Sequence, residues 1–314
     1  MIERIRSIAL SVGLFGAAFV LGLYFTFPMD LVSRAVEAQF ERAVGYSYDL
    51  EIERTRFAGI NGVHLQGVSL TSTESATPDT PVVPTRLDRL TVRTSLLGLL
   101  MGRVGGSVDL RAGDGRMWVG VTRGGDGALE VDLRSVEFPL ERLLVIRDKF
   151  GMSVIGQVTG EALLQLDAEG TLTDGTIHFE SPALSLSEGI PNIPALDRAG
   201  AFVRLPATDL GEVVVDVTVE ESRLTLNDVG AMNGDVVLDA QGTVDLRSPF
   251  RASRVAVNLL LSLDSAYVEA ADLGPILGRS SLLQRALTPE GYVLSFIGSA
   301  GNLSPTPGGA TSFE

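Results

Sequence analysis

The spacing of apolar and polar positions divides the chain into three zones. From Ser7 to Phe27 no side chain is charged, and a helix of that length, about 31 Å, matches the hydrocarbon core of a bilayer. From Asp30 to Val44 apolar residues recur every three or four positions, the spacing of an amphipathic helix. After Tyr46 apolar and polar residues alternate, as in β-strands. The pattern predicts a membrane span, one further helix and a large β-domain.

The first zone is predicted to be a retained anchor. Its apolar run ends in the bulky "LYFTFP", whereas a signal-peptide cleavage site requires small residues. Arg4 and Arg6 precede the run, so the positive-inside rule leaves the N-terminus in the cytoplasm. A cleaved signal is the alternative, and both put the later residues outside the cytoplasm. The predicted span includes Ser7, Leu14, Val20 and Phe27.

The second zone, residues 29–45, is predicted to be a helix with one apolar face. That face carries Leu31, Val32, Ala35, Val36, Phe40 and Val44. The helix either covers the open end of the β-structure that follows or lies on the membrane surface. It carries three acidic and two basic residues, which favours packing on the protein over the membrane surface.

The third zone, residues 46–303, is predicted to be mainly β: an antiparallel sheet whose short strands are separated by Gly-rich turns. Turn signals recur every 8–12 residues, as in a meandering sheet. The stretch "EVVVDVTV" places Val213, Val215, Val217 and Val219 on one side of a strand. One or two helical turns are expected near Leu282–Ala286, and a disordered tail over residues 304–314.

The apolar side of these strands needs a cover. Two sheets could close over each other as a sandwich, or one curved sheet could keep an open apolar groove. In a single layer, about 18 strands would reach roughly 85 Å. Apolar and polar residues alternate in the same way in a sandwich and in a single curved sheet, so the sequence does not choose between them.

Composition and charge narrow the range of functions. The formal net charge of −14 disfavours nucleic-acid binding and broad adhesion to an anionic membrane surface. The chain has no cysteine and two histidines, and it carries no phosphate-binding loop or nucleophile elbow. His64 and His178 each lie in an alternating stretch, as expected of strand residues that face the surface. We therefore expect no catalytic site, no cofactor and no metal.

The order of zones resembles a known group of envelope proteins. A basic N-terminus, one span and a helix are followed by "GYSYDLEIERTRFAGINGVHLQGVSL" and Gly-punctuated strands, a layout similar to that of the AsmA-like proteins of Gram-negative bacteria. The stretch "GQVTGEALLQLD", the stretch "LTDGTIHFESPALSL" and the ending "LTPEGYVLSFIGSAGNLSPTP" look like the protein N family of type II secretion systems.

Two functions follow from this resemblance as expectations. The first is a non-catalytic, inner-membrane-anchored component of type II secretion, with the bulk of the chain in the periplasm and other secretion subunits as partners. The second is an AsmA-like protein of lipid transfer or envelope biogenesis, which carries the acyl chains of phospholipid in an apolar β-groove.

Overall fold

The structure is a computed structural model that describes residues 37, 48–59, 61–72, 85–95, 103–143, 146–147, 151–190 and 204–308. The predicted membrane span and the apolar side chains of the predicted second helix lie outside these residues. Within the described ranges, no helix combines the length and the apolar character that a bilayer crossing requires.

The described chain is mainly β, as the alternating pattern predicts. Its strands are β1 (Tyr48–Phe57), β2 (Gly62–Ser72), β3 (Thr85–Thr94), β4 (Val104–Ala112), β5 (Gly115–Arg123), β6 (Leu129–Pro139), β7 (Val154–Leu166), β8 (Leu172–Leu186), β9 (Thr208–Glu220), β10 (Arg223–Met232), β11 (Val236–Asp245), β12 (Arg254–Leu263), β13 (Leu287–Thr288), β14 (Gly291–Ser299) and β15 (Pro305–Pro307). The sequence assigns residues 305–307 to a disordered tail, whereas in the structure they pair with β14.

The helices whose whole range is described are short. They are α1 (Ser265–Ala270), α2 (Gly274–Arg279) and α3 (Ser281–Ala286), with single 3-10 turns at Leu140–Arg142, Phe250–Ala252 and Ala300–Asn302. The predicted helical turn near Leu282–Ala286 corresponds to α3. Asp264 caps the N-terminus of α1: its carboxylate accepts hydrogen bonds from the backbone amides of Ala266 and Tyr267.

All of these strands belong to one open antiparallel sheet. From β1 to β12 each strand pairs with the next one in sequence, and β14 follows β12. Tight turns make this meander possible: Glu221 and Ser222 both have positive φ angles, 50° and 63°, as a two-residue turn between β9 and β10 requires. The far side of β14 pairs with the two-residue β13 and the proline-containing β15, which blunts that edge.

The two ends of the strands carry different connections. The connections 140–153, 187–207 and 264–290 leave and return at one end, which we call the connector end. At the opposite end, the turn end, β5–β6, β7–β8 and β9–β10 are joined by residues 124–128, 167–171 and 221–222.

Bulges keep apolar residues on one side of the sheet where strict alternation would move them. Between Ser135 and Phe138 the register of β6 against β7 shifts, and Glu137 in between has a φ of 47°. Phe138 thereby stays on the same side as Ser135 and is fully buried. A similar shift separates Leu226 from Asp228 in β10.

Candidate functional site

The apolar side chains of the sheet form continuous rows that run across the strands. Residues that pair directly in neighbouring antiparallel strands point to the same face, so the register defines each row. We name the rows after the four valines of β9. The Val217 row consists of Phe57, Val63, Val92, Val108, Val119, Leu133, Ala162, Ile177, Val217, Leu226, Gly242, Val257 and Phe296.

Three further rows flank the Val217 row on the same face. The Val215 row consists of Thr55, Leu65, Leu90, Leu110, Met117, Ser135, Gly160, Phe179, Val215, Val229, Ala240, Leu259 and Leu294. The Val219 row consists of Thr94, Gly106, Val121, Val131, Leu164, Gly175, Val219, Leu224, Val244, Val255 and Gly298. The shorter Val213 row consists of Ser181, Val213, Ala231, Leu238, Leu261 and Tyr292.

These four rows make up what we call the apolar face, and no member of them is charged. The valines that the sequence places on one side of a strand each belong to a different row. Val217 and Val219 are 5% and 2% exposed, and Val213 and Val215 are half-buried. The residues singled out from one strand therefore mark a surface that extends over nearly the whole sheet.

The apolar face is only partly covered. All described strands lie in one sheet, so no second sheet among them packs on this face. Most of its side chains are half-buried, and Val92 and Val121 are 36% and 39% exposed. A sandwich would bury such positions almost completely, so the described residues fit the open alternative and not the closed one.

One well-covered part of the apolar face lies at the connector end of β2 to β6. Leu65, Val68, Leu87, Ala112, Met117 and Phe138 form a buried cluster, against which Leu143 of the β6–β7 connection packs. Arg142 in the same connection donates a hydrogen bond to the carbonyl oxygen of Arg86 in β3 at 3.1 Å. Farther along the sheet, the Tyr267 hydroxyl of α1 lies 2.7 Å from Oγ1 of Thr208 at the start of β9.

The dimensions of the apolar face suit hydrocarbon chains. Six residues separate Val213 from Val219, which corresponds to about 20 Å along the strand. Twelve strand spacings from β1 to β14 correspond to about 58 Å in the other direction. One leaflet contributes about 15 Å to the hydrocarbon core of a bilayer, so an acyl chain fits within either dimension.

The opposite face, which we call the polar face, carries the charged side chains of the same strands. One of its rows contains His64, Thr91, Asp109, Trp118, Arg134, Glu161, His178 and Asp216. His178 lies between two carboxylates: Nδ1 is 3.2 Å from Asp216 and Nε2 is 3.2 Å from Glu180. The Asn227 amide donates to Asp216 at 2.8 Å and, helped by His178, holds the pKa of that carboxyl below its usual value.

In the ranges that the structure describes, no three His, Asp or Glu side chains are placed to hold a metal ion. His64 and His178 lie on the polar face, as the sequence predicts for strand residues. The carboxylates around His178 lie on either side of its ring and do not converge on one point.

His64 titrates in a cationic environment. Its Nδ1 atom lies 2.7 Å from Oγ1 of the buried Thr91. Partial burial lowers the pKa of His64 most, and the neighbouring Arg89, Arg93 and Arg111 lower it further, against an opposing effect of Asp109. Acidification below the unfolded value of about 6.5 therefore destabilises the fold, because the unfolded chain takes up a proton that folded His64 does not.

We expect Arg89→Gln to raise the pKa of His64 towards 6.5, because the variant removes a nearby positive charge. Histidine NMR titration measures this readily, since the chain has only two histidines. The remote Arg223→Gln variant is the matched control and should leave the pKa of His64 unchanged. An unchanged or lower pKa of His64 in Arg89→Gln would contradict the assigned environment.

Sequence reasoning found one strand of the apolar face but not its extent. The rows depend on cross-strand register, which connects residues as far apart as Phe57 and Phe296. Alternation of apolar and polar residues within each strand gave part of this information. Only the pairing of all described strands in one sheet shows that their apolar sides face the same way.

No protein-family model, curated protein or solved structure matches this chain.

Proposed function

We propose that the apolar face binds the acyl chains of lipids, so that the protein acts as a lipid carrier and not as an enzyme. One observation supports this proposal most strongly: three uncharged rows run from β1 or β3 to β14, are in phase across the sheet and remain partly exposed. Soluble proteins rarely leave an apolar surface of this extent without an interaction partner.

Hydrocarbon fits this surface better than a polar ligand does. The backbone groups of the central strands are paired in the sheet, and the rows offer few side-chain donors or acceptors. The Ser135 hydroxyl does not offer its proton to a ligand, because it donates a hydrogen bond to the carbonyl oxygen of Val158 at 2.8 Å. Binding would rest on non-directional burial, worth about 25 cal/mol for each Å² of apolar surface removed from water.

The proposal also includes the location of the protein in the cell. A single inner-membrane anchor with a cytoplasmic N-terminus would hold the β-domain in the periplasm beside the lipids that it carries. The long open antiparallel sheet supports the resemblance to the AsmA-like layout, in which such a sheet is curved around a groove. The predicted helix at residues 29–45 would then pack on one end of that groove.

Lipid extraction tests the proposal. The full chain, purified in detergent and passed through size-exclusion chromatography, is extracted and analysed by mass spectrometry. We expect phospholipid to be recovered in a constant ratio to protein. Recovery no greater than from an unrelated single-span protein in the same detergent would overturn the proposal.

A role in type II secretion is the second candidate, and it rests on the resemblance to the protein N family. The exposed polar face would provide the contacts with other secretion subunits. Neighbouring genes for a secretion ATPase, a secretin and pseudopilins would support this role, and their absence would count against it. Lipid recovery tests the role as a lipid carrier, and gene neighbourhood tests the role in type II secretion, so the two functions can be decided separately.

A further inference from the structure

Charge is distributed unevenly along the sheet, although the chain as a whole is acidic. Residues 85–123, which include β3 to β5, contain seven arginines and three aspartates, a net charge of +4. Residues 154–245, which include β7 to β11, contain sixteen acidic residues and three arginines, a net charge of −13. The overall value of −14 therefore hides a basic region in β3 to β5, whereas residues 48–72, which include β1 and β2, contain three acidic residues and two arginines, a net charge of −1.

Three arginines of the basic region and Arg54 of β1 lie in one transverse row of the polar face. Arg54 pairs with Gln66, Gln66 with Arg89, Arg89 with Arg111 and Arg111 with Arg116. We call Arg54, Arg89, Arg111 and Arg116 the arginine row. Like charges at directly opposed positions destabilise a sheet, so this arrangement carries a cost in the unbound protein.

Neutralisation of the arginine row is incomplete. Asp109 accepts a hydrogen bond from Nε of Arg116 at 2.9 Å and lies 3.7 Å from Nε of Arg111. One carboxylate thus serves two guanidinium groups, both about half exposed. Among the described residues, no carboxylate lies within ion-pair distance of the exposed Arg54 or Arg89.

An aromatic side chain adjoins the arginine row. Trp118 is half-buried in the next row of the polar face, with the guanidinium carbon of Arg134 at 5.8 Å from its ring centre. Arg116, Trp118, Arg134 and the 58%-exposed Val136 line one shallow depression. A tryptophan beside arginine is the combination found where proteins contact the headgroup region of a membrane.

We propose that the arginine row and Trp118 dock the N-terminal part of the sheet onto an anionic phospholipid surface. The 47 residues before β1 contain the predicted span, so β1 to β5 are the strands that an anchor would hold closest to the bilayer. The acidic β7 to β11 are repelled by the same surface, so the charge gradient orients the sheet with its basic strands towards the membrane. This docking uses the polar face and is independent of lipid binding on the apolar face.

Fluorescence of Trp118 tests the docking, because it is the only tryptophan in the chain. The full chain is reconstituted into vesicles of phosphatidylcholine, with or without phosphatidylglycerol, that contain a dansyl-labelled headgroup lipid. We expect stronger energy transfer from Trp118 to dansyl in the phosphatidylglycerol vesicles. The difference should disappear at high salt, since the screening length falls from about 10 Å at 0.1 M to about 3 Å at 1 M.

Paired variants make the test specific. Arg89→Gln with Arg111→Gln should lower the ratio of docked to undocked protein about fivefold for each arginine removed. Arg223→Gln with Arg254→Gln, on the polar face of β10 and β12, should leave the ratio unchanged. Circular dichroism of each variant verifies that the sheet is retained, and a pair that loses the sheet is replaced by the single variant Arg89→Gln with the same expectation.

Three results would overturn the docking. Energy transfer could be equal in both kinds of vesicle, or the Arg89 and Arg111 variants could match the parent protein. Energy transfer could also depend on protein concentration and not on phosphatidylglycerol, which would assign the arginine row to the acidic strands of a second copy.

Discussion

Carboxylates placed on the exposed part of the apolar face should abolish lipid binding without unfolding the sheet. We expect Val92→Asp combined with Val121→Asp to lower the phospholipid recovered per protein by at least about a hundredfold. Both valines belong to the apolar rows and are 36% and 39% exposed. An acyl chain lying there would have to desolvate the new charges, at a cost of several kcal/mol.

The matched control uses exposed apolar residues on the polar face. Val237 and Leu163 are 37% and 42% exposed, and they pair with Ser262 and Asp132, respectively. Val237→Asp combined with Leu163→Asp should leave lipid recovery unchanged. Equal lipid recovery from the two double variants would mean that the apolar face is not where lipid binds.

Adding a single methyl group at Gly160 should destabilise the centre of the sheet by about 2 kcal/mol or more. Gly160 has a φ of 155°, and a Cβ atom there would lie against the carbonyl oxygen of His178 and 2.6 Å from Cα of Phe179. Phe179 lies in the next strand of the Val215 row, with its Cδ1 atom also 2.6 Å from that position. The alanine can be accommodated only if β7 and β8 move apart.

Gly125→Ala is the control for this change, because a Cβ atom at Gly125 would have nothing within 4 Å. Its effect on the free energy of unfolding should stay within about 0.5 kcal/mol. Chemical denaturation followed by circular dichroism measures both variants. Equal stabilities of Gly160→Ala and Gly125→Ala would contradict the close packing of β7 on β8.

The sequence was sufficient for the strands and their apolar sides. Alternation in "EVVVDVTV" predicted that Val213, Val215, Val217 and Val219 share one face, and the register of β9 with β8 and β10 places them so. Gly-rich turns predicted an antiparallel meander. About 18 strands were expected, and the described residues form 15. Strands such as β8 (Leu172–Leu186) are longer than a mean turn spacing implies.

The choice between sandwich and single sheet could not be made from the sequence. An inward-facing residue of a sandwich and a groove-facing residue of an open sheet have the same period of two. What separates them is which strands pair, and that depends on contacts between distant segments. Bulges added a second difficulty, since Glu137 breaks the alternation that would otherwise have predicted the burial of Phe138.

The arginine row could not be predicted from the sequence, for a related reason. Arg54, Arg89 and Arg111 are far apart in the sequence and meet only through the registers of β1 with β2, β2 with β3 and β3 with β4. Net charge is a sum over the whole chain, so −14 argued against membrane adhesion. Local charge on one face of a few strands, and not the sum, determines what that face attracts.

Photo-cross-linking tests directly whether acyl chains bind on the apolar face. In the full chain in producing cells, a benzophenone amino acid is introduced at Val121 on the apolar face or at Val237 on the polar face of the acidic β11, which are 39% and 37% exposed. After irradiation, we expect phospholipid adducts at position 121 and few or none at position 237. Equal adduct formation at the two positions, or adducts to protein alone at position 121, would contradict acyl-chain binding on the apolar face.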